Sequence, residues 1–199
     1  MCSYSWLNPL IVVNNGYLIM NLNNWINMLW MQVLWFGSVI GAAHQLLFLA
    51  PILMIGFAFW EFRPGRHVYG DFQLILVAVL IGLILDTTWV RLGWLEFSGG
   101  WALSERAPLW ILLLWAGLAL TINHSLAWLQ SRLVLAALLA AVGSPLTYLA
   151  AARFGAVDIV SESRVWCVGL ALSWAIALPL LLWLANHLKH IKEEKEADV

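Results

Sequence analysis

The sequence predicts an all-α polytopic membrane protein, folded as an up-and-down bundle of six transmembrane helices. Three observations carry this. Of 199 residues, 63% are hydrophobic and 11% charged, too little charge to solvate the surface of a water-soluble domain of this size. The apolar residues fall in runs of about twenty, the length a helix needs to cross a hydrocarbon core about 30 Å thick. Tryptophans gather at the ends of those runs, where indole prefers the membrane interface. A formal net charge of −1 leaves no basic field for nucleic acid.

Residues 1–24 read as an N-terminal extension. The stretch "MCSYSWLNPLIVVNNGYLIMNLNN" has no Lys or Arg to open a signal peptide. Its apolar core, Leu7 to Val13 with Pro9 inside, is too short to span. Met20 would serve as an alternative start, so residues 1–20 are expected to be loosely ordered or to lie on the membrane surface. The transmembrane domain is expected over 25–188, with spans at 25–43, 46–62, 72–94, 108–130, 133–157 and 165–188. Helix is the open-chain form that pairs every backbone polar group within its own segment. Short connections near 44–45, 131–132 and 158–164 require antiparallel neighbours. Trp25, Trp60, Trp94, Trp110, Trp128, Trp166 and Trp183 fall near span ends. Residues 189–199 form a charged tail, in which His187 and His190 just upstream and within it share a face without implying a metal site.

One side of the bundle collects Arg63, Arg66, Arg132, Lys189, Lys192 and Lys195, and the other Arg91, Arg106, Arg153 and Arg164. The positive-inside rule then places both termini in the cytoplasm. "FRPGRHVYGD" reads as a Pro-Gly turn carrying topology-setting arginines.

Polar residues interrupt the apolar runs at helical spacing. Gly82, Asp86, Trp89 and Gly93 share a face of the third span. Gly117, Thr121, His124 and Trp128 repeat the spacing in the fourth, and Ala137, Ala141, Ser144 and Tyr148 in the fifth. Small residues there let helices approach closely. The expected intramembrane polar site therefore comprises Asp86, His124, Asn123, Tyr148, Thr121 and Gln32. Tyr148 lies at the depth of Asp86, whereas Gln32 shares the level of Asn123 and His124. Asp86 and His124 are expected to face a shared interior cavity. An ionisable group in a span costs roughly 2.5–3.5 kcal/mol on insertion scales. It serves either proton handling and substrate binding or a buried network that fixes helix register. Ser125 is expected to bond the carbonyl of Thr121, and Pro145 to kink the fifth helix. At the opposite face, Arg91, Arg153 and Arg164 form a candidate anion or headgroup site, unless they simply snorkel. The loop "LEFSGGWALSERA" there is a candidate lid.

A shift of 80 sets "LWFGSVIGAAHQLLFL" over "LWAGLALTINHSLAWL", matching His44 to His124 and Gly37 to Gly117. An inverted repeat of that kind is a transporter feature. The inventory offers no HExxH, no histidine cluster, no Gly-rich nucleotide loop and no nucleophile beside a base. Cys2 and Cys167 make no CxxC or zinc pattern, and no cofactor is implied.

"PLWILLLWAGLALTINHSLAWL" followed by "AALLAAVGSPLTYLAAARFGAV" resembles the core of an uncharacterised bacterial inner-membrane family, domain of unknown function 2878. The likeness covers approximately residues 25–188 and includes Asp86. The family pattern in the fifth helix is Gly-Gly-Pro with a Tyr following. Here Ser144 stands for the second Gly and Ala152 for a later one, which leaves the closeness of helix packing there open. The resemblance implies a bacterial inner-membrane location and a setting near fatty-acid-modifying enzymes. Three function classes stay open. They are a small transporter or lipid-handling subunit, a membrane-embedded enzyme or accessory factor acting on acyl chains, and a purely structural subunit. The expected partners are the lipid bilayer, a lipid or small-molecule ligand, and a second copy or another membrane protein.

Overall fold

The computed structural model describes residues 11–14, 17–20, 22–99 and 105–197. Its elements are β1 (Ile11–Asn14), β2 (Tyr17–Met20), α1 (Leu22–Ala43), α2 (Leu49–Glu61), α3 (Asp71–Arg91), β3 (Leu95–Phe97), α4 (Leu109–Ile122), α5 (Leu133–Arg153), β4 (Val157–Ile159) and α6 (Val165–Ala197). β1 and β2 pair as an antiparallel hairpin ahead of α1. The rest of the N-terminal stretch, Cys2 included, lies outside the described residues. α6 continues as helix through the expected tail.

α1, α3, α5 and α6 are each long and apolar enough to cross a membrane. α2 and α4 are shorter than the sequence predicts, at 13 and 14 residues. That is about 20 Å at 1.5 Å per residue, less than a hydrocarbon core. Both nevertheless run between the same two ends as the long helices. At the near end the start of α1 meets the end of α2 through Asn27 and Glu61. The start of α3 meets the chain after α4 there, through Asp71 and Asn123. At the far end Gly99 lies against Ala42 and Leu47.

Helix ends explain how the chain turns. α1, α3 and α5 all stop at the far end in a Schellman motif, which satisfies carbonyls that a helix end leaves open. In α1, Leu46 N–H donates to Gly41 O (2.7 Å) and Gln45 N–H to Ala42 O (3.3 Å). In α3, Trp94 donates to Trp89 (3.0 Å) and Gly93 to Val90 (2.9 Å). In α5, Ala156 donates to Ala151 (3.0 Å) and Gly155 to Ala152 (2.9 Å). The motif needs one residue at positive φ, and Gly93 (65°) and Gly155 (81°) supply it without a Cβ penalty. Gln45 adopts it at 60° despite its side chain. Gly93 therefore lies outside the helical face assigned to it from sequence. The chains leaving α3 and α5 then pair as β3 and β4, Glu96 opposite Asp158. The expected lid loop thus begins as a strand, and residues 100–104 lie outside the described residues.

α4 ends differently, and this corrects the expected span at 108–130. The helix stops at Ile122, and residues 123–126 form an irregular turn before a short 3-10 turn at Ala127–Leu129. His124 and Trp128 therefore do not continue the face of Gly117 and Thr121. Leu126 N–H still donates to Thr121 O (2.8 Å), the counterpart of the Leu46–Gly41 bond at an offset of 80. The remaining open groups go to side chains. Asn27 Nδ2 donates to Leu120 O (3.0 Å), Gln130 Nε2 to Ile122 O (3.0 Å), and Ser125 N–H to Asn27 Oδ1 (3.3 Å). Irregular backbone at membrane depth is tolerated where protein covers it. Residues 121–125 are all buried.

α4 is the central element, packed on α1, α2, α3 and α6, while α5 packs on α6. Close approach comes from glycine. A Cβ on Gly82 would run into the Trp115 ring, and one on Gly117 into Leu34. On α5 the buried small residues are Ala136, Ala140, Ser144 and Ala151, the first two one step from the expected Ala137 and Ala141. Trp110 and Trp166 are buried and so belong to the core rather than to an interfacial belt. Ile55, Phe59, Val142, Leu172 and Ile176 stay exposed along the helices, a surface suited to acyl chains.

Gly82→Val is expected to force Trp115 out of its seat and to cost about 1–3 kcal/mol, as overpacking does. Gly143, with nothing near its Cβ position, gives the contrast. Gly143→Ala is expected to stabilise by about 0.5–1 kcal/mol through helix propensity. Thermal melts of both variants in one mild detergent check the opposite signs.

Candidate membrane cavity and polar networks

A cavity of ≈ 460 Å³ opens between α1 and α5, floored by α4. α1 supplies Met31, Gln32, Trp35, Phe36 and Val39; α4 supplies Trp110, Ile111, Leu114, Trp115 and Leu118. α5 adds Leu146, Thr147, Tyr148, Ala150 and Ala151, with Val157 and Trp174 closing the wall. The volume falls in the range of small-molecule sites, and so does the composition, mostly apolar and aromatic with few polar groups. α1 and α5 touch through rings, Phe154 lying edge-on to Trp35 (6.4 Å) and Phe36 (6.2 Å). Leu146, Thr147, Gln32 and Phe36 are exposed, so the opening faces sideways, toward the surface formed by the helices.

Asp86 stands behind this wall. Trp115 Nε1 donates to its Oδ2 at 2.8 Å, and Tyr148 Oη donates to its Oδ1. The carboxyl is fully buried, and each oxygen receives one donor. Trp115 in turn stacks on Trp174 at 4.3 Å. The expected pairing of Asp86 with Tyr148 is thus joined by a partner that sequence reasoning missed. Trp115 lies on a helix directly over Gly82, one turn before Asp86, and that near-absence of side chain was the available signal. Thr147 is already engaged, donating to Gly143 O at 2.8 Å. The amide of Gln32 is the polar side chain at the mouth.

His124 and Asn123 belong to a second network, at the near end. The sequence grouped them with Asp86 around one cavity; the structure places them beside Asp71, about four turns along α3 from Asp86. His124 lies between two carboxylates, Nδ1 3.4 Å from Glu61 and Nε2 3.5 Å from Asp71. Arg66 holds Glu61 bidentately, Nη2 at 2.8 and 3.0 Å from its two oxygens, the strong form of a charge-assisted pair. Asn123 Nδ2 donates to Asp71 Oδ1 (2.8 Å), and Val68 N–H to Asp71 Oδ2 (2.9 Å). Gln130 Nε2 donates to Asn123 Oδ1 (3.1 Å) and its Oε1 accepts from Lys189 (2.9 Å).

Asn27 completes the network. It donates to Glu61 Oε1 (2.9 Å) and accepts from Ser125 Oγ (2.6 Å). Ser125 therefore bonds α1 instead of the Thr121 carbonyl. Asn27 also occupies the place expected of Gln32, which faces the cavity instead. Thr121 donates to Leu118 O (2.6 Å) within its own helix. Glu61, Asp71, Asn27 and Gln130 escaped notice because they sit at apparent span ends, where charged and amide groups are ordinarily solvated. Arg91, Arg153 and Arg164 are exposed at the far end, and no hydrogen bond or ion pair joins them among the described residues.

A family model described as "Protein of unknown function (DUF2878)" matches residues 24–180. No curated protein and no solved structure matches the chain.

Asn27→Leu keeps the branched shape but strands the Leu120 carbonyl and Ser125, and leaves Glu61 Oε1 to Arg66 alone. At about 1–3 kcal/mol for a buried polar group left unpaired, the variant is expected to lose at least about 2 kcal/mol. Chemical denaturation in detergent reads this loss, which should exceed that of Gln32→Leu at the open cavity mouth.

Proposed function

We propose that this chain, which belongs to the DUF2878 family, is an integral membrane protein that holds a hydrophobic or amphipathic molecule drawn from the bilayer, as a small transporter or lipid-handling subunit. The cavity between α1 and α5 carries the reading. It is large, aromatic and open sideways, so a molecule dissolved in the membrane enters without crossing water. Its polar features are few and placed. Gln32 presents an exposed amide partway along a membrane-length helix, a costly position unless something bonds it. Tyr148 and Trp115 are fixed by Asp86, which makes Asp86 a positioning residue for the cavity wall.

All six helices crossing the bilayer, with both termini in the cytoplasm of a bacterial inner membrane, is the topology that fits best. The near end gathers Arg63, Arg66, Arg132, Lys189, Lys192 and Lys195, the cationic side under the positive-inside rule. α2 and α4 are short, but the irregular extension of α4 at residues 123–125 is buried by neighbouring protein at the near end. That network then acts as the structural anchor, and the cavity as the binding site.

Native mass spectrometry of the protein released from mild detergent is expected to show a discrete bound molecule. Ala150→Trp, which fills the cavity from α5, should abolish that adduct while the protein remains folded. An adduct that persists in Ala150→Trp at wild-type level would place binding elsewhere and end this reading.

A further inference from the structure

We infer that the cavity selects a lipophilic cation, a quaternary ammonium or phosphonium group carried on an apolar body, over a neutral or anionic molecule of the same size. The inference rests on the cavity being a binding site and names the chemistry that fits it. Among the described residues no Lys, Arg or His lines the cavity, so an anionic headgroup would find no counter-charge from them. An ionisable acid beside it is Asp86, whose two oxygens each accept from a donor, Trp115 Nε1 and Tyr148 Oη. Two donors suit the ionised carboxylate, which only accepts. Among the described residues no cation pairs with Asp86. A positive group in the cavity would supply the missing counter-charge from just beyond the two rings.

Those rings strengthen the case. Trp35, Trp110, Trp115, Trp174 and Tyr148 surround the space, and aromatic faces attract a desolvated cation by about 2 kcal/mol or more. A hydrogen bond from an indole or phenol to a carboxylate pushes electron density toward the ring, so Asp86 makes the Tyr148 ring more negative, and with it Trp115, which lies between Gly82 and Trp174. Thr147 has already spent its hydroxyl on Gly143 O. What remains for a ligand is ring faces, the Gln32 amide and a negative potential. Quaternary cations, which donate no hydrogen bond, are the ligand class that asks for this and no more.

The test uses two probe ions of matched size and shape and opposite charge, tetraphenylphosphonium and tetraphenylborate. Each is measured by equilibrium binding to the full-length protein in an uncharged detergent. The phosphonium is expected to bind at least about tenfold more tightly than the borate, given a cation–π contribution and an unpaired carboxylate nearby. Asp86→Asn should weaken phosphonium binding by a similar factor. Trp35→Leu, at the cavity mouth and remote from Asp86, should weaken it independently should Asp86→Asn fold poorly. Equal binding of both ions, each lost in Ala150→Trp, would overturn the cation inference while leaving the cavity as a binding site. Binding of neither ion, or phosphonium binding unchanged in both Asp86→Asn and Trp35→Leu, would overturn it as well. The adduct in native mass spectrometry reads separately whether the cavity binds anything.

Discussion

Backbone groups that cannot reach water must be satisfied within the protein, and in this chain the demand concentrates where α4 stops. The carbonyls of Leu120 and Ile122 are freed at a depth covered by other helices. Asn27 and Gln130 take them up. Those two amides belong to α1 and to the connection into α5, so satisfying one helix end also fixes where its neighbours start. Glu61, Asp71 and Lys189 extend the same constraint to α2, α3 and α6. Loss of one member strands several partners, because each amide serves two or three groups at once. The packing of α4 against four other helices follows from this pinned end together with the flat faces that Gly82 and Gly117 provide.

The two polar networks divide the work. The near-end network is charged and dense, and draws on α1, α2, α3, α6, the end of α4 and the connection into α5. The mid-bundle group is sparse, a carboxylate with two aromatic donors, and it borders open space. Asp86 is about four turns of α3 from Asp71 in the His124 network, and α4 links the two as well, through Trp115 and the Leu120 carbonyl. An arrangement in which structural ionic contacts sit at one end and a lone acid sits beside a cavity lets the cavity wall vary without disturbing the anchor.

Much of this was legible in the chain. Membrane-length apolar runs gave the class, and helical spacing put Gly82, Asp86 and Trp89 on one buried face. Shared depth paired Asp86 with Tyr148. The ending of α4 was not legible, because Asn123, His124 and Ser125 lie inside an apolar run with no Gly or Pro to mark a stop. The break is imposed by tertiary partners, chiefly Asn27 and Asp71, which sequence spacing cannot bring together across distances of 98 and 52 residues. The cavity was illegible for a related reason. It is a gap left by α1 and α5 failing to pack, and gaps have no residue pattern of their own.

The ring contacts of Phe154 with Trp35 and Phe36 carry one more implication. Asn27 ties the start of α1 into a web of hydrogen bonds, whereas its later turns meet α5 by dispersion between aromatic edges. Separating such edges breaks no directional bond and exposes no polar atom to hydrocarbon. The gap between these two helices is therefore bordered at one extremity by a start of α1 held by directional bonds and at the other by a purely dispersive contact, the border at which separation carries the smaller cost.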